Sequence, residues 1–74
     1  MSSEQLINEL ISIGRTKGYL PREEGRTREI GEELNKMGGM GLMQTAHEQV
    51  SSSLGNVKAR ELESAWSGIG MWRG

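Results

Sequence analysis

The sequence predicts an all-α fold: a compact bundle of four short helices with a Trp-containing C-terminal tail packed back on the core. Three observations predict it. Apolar residues recur at helical spacing in four segments, and glycines separate those segments. Alternation of period two is confined to a few residues around Ile11 and Ile13, too few for a strand. At 74 residues the chain is long enough for one domain, read here as a single helical domain over residues 1–74.

The first helix starts after Ser2 and Ser3, which suit an N-cap ahead of Glu4. Leu6, Leu10 and Ile13 fall at i, i+4 and i+7, with Ile7 and Ile11 beside them. Gly14 is expected to end this helix, with Arg15 and Lys17 placed against the negative end of its dipole. Gly18-Tyr19-Leu20-Pro21 reads as a connector, with Tyr19 and Leu20 as anchors. Pro21 starts a short turn through Arg22, Glu23 and Glu24.

The second helix is expected to start near Arg26 or Thr27, with Thr27 as N-cap. Ile30, Leu34 and Met37 form a narrow stripe. Gly31 on its flank is read as the place where another helix comes close. Gly38 and Gly39 end the helix. The third starts near Gly41, with Leu42, Met43, Ala46, Val50 and Leu54 on its apolar face and His47 at the margin. Ser51, Ser52 and Ser53 favour fraying of its last turn, and Gly55-Asn56 is a stop-and-turn pair. The last helix runs from about Val57 to Trp66, with Leu62, Ala65, Trp66 and Ile69 on one face. Gly68 and Gly70 break it. Trp66 and Trp72 are too large and apolar to leave exposed singly, so the tail is expected to fold back.

Composition narrows the function classes. A chain this short buries only about 60% of its unfolded surface, so its core is thin. There is no cysteine, hence no disulfide or thiolate metal site, and His47 is the only histidine. No Asp occurs either, so a favoured ligand for calcium or magnesium is missing, and no cofactor is expected. A net charge of −1 gives no field that would gather nucleic acid. No apolar run is long enough to span a bilayer, and the N-terminus lacks the order of a signal peptide. A cytoplasmic protein is the default reading.

The candidate sites are few. Gly38-Gly39-Met40-Gly41 before a helix has the glycines of a phosphate cradle. Leu42 and Met43 stand where a Lys-Ser/Thr pair would be needed, so it reads as a helix-linking turn. His47 has no nucleophile at a defined spacing, and an enzyme would need a pocket joining it to a carboxylate. Glu23, Glu24, Glu29, Glu32 and Glu33 read as a solvated face. Arg15, Lys17, Arg22, Arg26 and Arg28 make the best basic patch, interrupted by Glu23 and Glu24. Met37, Met40, Met43 and Met71 read either as an adaptable surface or as core filler. Trp66 and Trp72 read either as partner anchors or as core. The candidate interaction residues are therefore Arg15, Lys17, Arg22, Arg26, Arg28, His47, Trp66 and Trp72.

Two resemblances bear on this. Thr27-Arg28-Glu29-Ile30-Gly31-Glu32-Glu33-Leu34-Asn35 resembles the first helix of bacterial helix-turn-helix DNA-binding domains, which implies nucleic-acid binding. The next segment departs from that family. It has Gly41 and Gln44 where β-branched apolar residues stand, and no Arg or Lys to reach phosphates or guanine. The C-terminal Trp66-Ser67-Gly68-Ile69-Gly70-Met71-Trp72 resembles the ending of a family of short uncharacterised bacterial proteins that close on Trp-x-Gly-Ile-Gly-x-Trp. That resemblance implies a small stand-alone protein and brings no activity with it. The expected function is non-enzymatic: binding another protein, or a second copy, because a thin core gains by burying Met and Trp surface. Nucleic-acid binding is the alternative, and no membrane role is expected.

Overall fold

The computed structural model describes residues 2–19 and 24–72. The connector expected at Leu20 and Pro21, the turn through Arg22 and Glu23, and the anchor role of Leu20 fall outside those residues. The described residues are all-helical, with no strand among them. They form α1 (Ser3–Thr16), α2 (Glu24–Leu54) and α3 (Asn56–Ala65), and α2 packs against both of the others.

α1 begins in a capping box. Ser2 Oγ accepts from Gln5 N at 3.2 Å, and Gln5 Oε1 accepts from Ser2 N at 3.3 Å. Its buried line is Leu6, Leu10 and Gly14, four residues apart, with Ile7, Ile11 and Ile13 half-buried against the core. Gly14 does not end the helix, contrary to expectation. The Tyr19 ring and Leu54 Cδ1 occupy the space that a Cβ at residue 14 would need, the latter at 2.6 Å. Gly14 is therefore a contact glycine, and the chain leaves the helix at Gly18, with φ +82. Tyr19 is the expected anchor: it is buried, and its hydroxyl donates to the Leu10 carbonyl at 2.6 Å.

The expected four helices are not matched. The second and third expected segments run together as α2, 31 residues bent at a single non-helical residue, Gly39 (φ 67, ψ −157). No loop separates the two arms, residues 24–38 and 40–54. A straight helix of that length would measure ~46 Å, whereas the longest dimension of the molecule is 25 Å, so the bend is sharp. The start of α2 is also earlier than expected. Thr27 is inside the helix and fully buried, so it is no N-cap, and its hydroxyl has no hydrogen-bond partner among the described residues. Ile30 and Leu34 are core, whereas Met37, expected to continue their stripe, is 47% exposed. On the second arm Met43, Ala46 and Val50 are buried, with Leu42 and Leu54 packed against them.

Gly55 (φ +92) makes the turn alone, and Asn56 already opens α3. Ala59, Leu62 and Ala65 are the buried line of α3. The tail then turns back as expected. Ile69 N donates to Trp66 O at 3.0 Å and Trp72 N to Ile69 O at 2.9 Å, which brings Ile69 and Trp72 into the core beside Trp66.

Candidate functional site

One open groove, about 490 Å³, gathers chemistry from three elements. Met40, Gln44 and His47 lie at i, i+4 and i+7 on the second arm of α2, so helical periodicity puts them on one face. α3 supplies Glu63, and the tail supplies Met71 and Trp72. His47 Nε2 lies 2.9 Å from Glu63 Oε2, both side chains being partly exposed. The Trp72 ring is tilted against His47, centroids 5.6 Å apart, and meets Trp66 edge-on at 5.2 Å. Trp72 Nε1 donates to the Glu63 carbonyl at 3.2 Å, and Trp66 Nε1 donates to the Thr27 carbonyl at 2.9 Å. Three rings thus run from the groove wall to the centre of the core, and each of the two indole N–H groups has a partner.

The groove does join His47 to a carboxylate, the arrangement an enzyme would need. Its other lining residues are two thioethers, an amide and an indole, so none of them supplies a hydroxyl or thiol nucleophile. Among the described residues no group of three His or Glu side chains is placed to hold a metal ion. Chemically the groove offers apolar, deformable walls and one imidazole–carboxylate pair.

A second cleft, about 370 Å³, is lined by Leu6, Arg26, Glu29, Glu32 and Glu33. Here Arg26 is committed to the fold. Its Nε and Nη2 donate to the two carboxylate oxygens of Glu9, both at 2.6 Å, and Nη1 donates to Glu29 at 3.2 Å. The fork-to-fork geometry ties α1 to α2. These hydrogen bonds, first that to Glu9 and then that to Glu29, raise the guanidinium above its ordinary pKa. The hydrogen bond from Arg26 lowers the Glu9 carboxyl, against the opposing effect of its desolvation. Burial, and after it the Glu61 carboxylate, pushes the Tyr19 phenol up.

Arg28 is also turned inward: its Nη1 donates to the Ala65 and Ser67 carbonyls at 2.8 and 2.9 Å, capping the C-terminal end of α3. Arg15 sits exposed in the last turn of α1, Lys17 is the exposed C-cap residue, and Arg22 lies outside the described residues. Of the basic stretch, Arg26 and Arg28 among the described residues are engaged with Glu9, Glu29 and the end of α3. The methionines separate by role. Met43 is core, Met40 is half-buried in the groove, and Met71 is 72% exposed beside it. Trp66 is fully buried, out of a partner's reach, while Trp72 forms part of the groove wall. Sequence reasoning missed Glu63, Gln44 and Glu9 as partners. The spacing of Met40, Gln44 and His47 was the one local signal for the groove.

No protein-family model, curated protein or solved structure matches the chain. No helix among the described residues is long and apolar enough to cross a membrane.

Proposed function

We propose that this is a small non-enzymatic interaction domain of the cytoplasm that docks a protein partner in the groove between the second arm of α2, α3 and the tail. One observation carries the reading. Met71 stands 72% exposed next to Trp72, which is only 8% exposed and held by Glu63 and Trp66. A flexible apolar side chain is presented to solvent on a rigid aromatic base, and Met40 continues the same surface. Such a pairing gains free energy when a partner's apolar side chain covers it. The His47–Glu63 pair at the wall offers polar contacts that orient the partner.

The test is capture from a lysate with the wild-type chain and with Met71→Glu in parallel. A partner held by the wild type and lost by the variant supports the groove. A partner held equally by both, or by neither, counts against it. The nucleic-acid alternative draws no support from Arg26 and Arg28, whose guanidinium groups are taken up by Glu9, Glu29 and the end of α3. The C-terminal resemblance to short bacterial proteins is compatible with a stand-alone domain and adds no activity.

A further inference from the structure

We propose that the bend in α2 is an exchange hinge: the helix straightens at Gly39, and residues 40–72 of one copy pack on α1 and the first arm of α2 of a second copy of this chain. The inference does not depend on the groove.

The bend is confined to one residue. Gly39, at φ 67 and ψ −157, occupies a region of backbone space that is essentially glycine-only. Its neighbours on both sides are helical, so returning that one residue to helical angles makes a single continuous helix. Gly38 is needed for a different reason. A Cβ there would fall 2.7 Å from Leu42 Cβ. In a straight helix residues at i and i+4 keep their Cβ atoms about 5–6 Å apart, so that crowding exists only in the bent form. Both glycines are requirements of the closed chain. The straight helix has no use for either, since glycine is the poorest helix former short of proline.

The contacts that close the monomer span the hinge. Trp66 donates to the Thr27 carbonyl, Arg28 caps the end of α3, Gly70 packs on Asn35, and Leu54 packs on Gly14. Each joins α1 or the first arm of α2 to residues 40–72. A second straightened copy supplies every one of those partners again, so exchange restores the whole set. A single straightened chain would lose them and expose Leu34, Met43 and Trp66, so the open form needs its second copy. A hinge confined to one glycine, which takes bent and helical angles alike, lets two copies exchange without rebuilding either arm.

Light scattering on the full chain tests this, comparing wild type with Gly39→Ala, Gly38→Ala and Gly41→Ala, and with a synthetic chain carrying D-alanine at position 39. Gly39→Ala and Gly38→Ala are expected to shift the monomer–dimer equilibrium toward dimer by roughly tenfold or more. Gly41 is helical in both forms, so Gly41→Ala leaves the equilibrium within about twofold of wild type. D-alanine is relaxed at the bent angles, which mirror the extended region of an L residue, and it moves the equilibrium toward monomer. Isotope-filtered NMR on mixed labelled copies then reads the geometry. Exchange gives cross peaks from the Trp66 indole N–H of one copy to Gly31 of the other. A folded monomeric Gly39→Ala, or a dimer in which those cross peaks are intrachain, overturns the proposal. Should both alanine variants unfold, wild type refolded at high concentration decides: an interchain Trp66–Gly31 dimer supports exchange, and a monomer or an intrachain dimer defeats it. Met71→Glu leaves the dimer unchanged, so a failed groove and a failed hinge are told apart.

Discussion

Trp66 lies directly on Gly31. An ideal Cβ at residue 31 would sit 2.5 Å from Nε1 and 2.7 Å from Cδ1 of the indole. The ring cannot easily yield, because Nε1 is held by the Thr27 carbonyl at 2.9 Å and the side chain is fully buried. Only the absence of a side chain lets the end of α3 come this close to α2.

That contact sets two glycines of one helix apart. In an open helical position Gly→Ala stabilises by up to about 1 kcal/mol. Gly41 has nothing within 4 Å of its Cβ site, so Gly41→Ala is expected to raise stability by roughly 0.5–1 kcal/mol. At Gly31 the same change drives a methyl into a fixed ring, and overpacking strain exceeds the propensity gain. Gly31→Ala is expected to lower stability by roughly 1–2 kcal/mol. Urea unfolding of the two variants gives shifts of opposite sign. A stabilised Gly31→Ala would mean that the indole is free to move.

Arg28 is the next determinant of the same junction. The last carbonyls of α3 have no partner within the helix, and two oxygens at this end, those of Ala65 and Ser67, meet the guanidinium instead. Arg28→Ala is expected to lower stability by about 1–2 kcal/mol, the scale of charged hydrogen bonds at a partly solvated site. Amide exchange at Ile69 and Trp72 accelerates more than exchange in α1, since the tail is what the cap holds. Uniform acceleration across the chain would deny Arg28 a local role.

Glu9 and Arg26 predict a dependence on pH. The folded-state pKa of Glu9 is lowered from its ordinary 4.5, so the ionised carboxylate is favoured in the folded chain. The stability this confers is fully present above pH 4.5 and is lost as pH falls through the lowered folded value. The pair is substantially exposed, at 40% and 38% for its side chains, so solvent screening keeps its contribution below about 1 kcal/mol. Glu9→Gln is expected to lower stability at pH 7 and to lower it by less at pH 3. Urea midpoints at the two pH values check this, and an equal loss at both would point to packing rather than charge.

Much of this fold is written in local patterns. Leu6 and Leu10, Ile30 and Leu34, and Met43, Ala46 and Val50 announce their helices by spacing and lie in the core. The role of Gly31 was legible because a glycine on the flank of an apolar stripe has few other uses. Gly14 was misread because glycine both ends helices and admits neighbours. Which it does here depends on Tyr19 and on Leu54, far along the chain. The bend at Gly39 was expected as a helix-linking turn over Gly38-Gly39-Met40-Gly41. That one residue suffices follows from its backbone angles, which no side-chain pattern encodes. The pairs that build the sites, His47 with Glu63 and Arg26 with Glu9, are 16 and 17 residues apart, too far for helical spacing to signal them.

The Gly31–Trp66 contact also makes its own coupling measurable. Trp66→Phe removes the N–H that bonds the Thr27 carbonyl and removes the benzo ring, leaving a smaller and untethered ring against Gly31. Alone it is expected to lower stability by about 2–3 kcal/mol, from lost buried area and a lost buried hydrogen bond. Combined with Gly31→Ala it is expected to lower stability by less than the two single losses together. The smaller phenyl ring, no longer tied to the Thr27 carbonyl, can then shift away from the added methyl. Residues in direct contact couple by about 0.5–3 kcal/mol, and a favourable coupling of roughly 1 kcal/mol is expected here because the released ring relieves the methyl's crowding. Urea unfolding of the wild type, both single variants and the double variant completes the cycle. Strict additivity would place the Trp66 ring somewhere other than against Gly31, and with it the packing of α3 and the tail on α2.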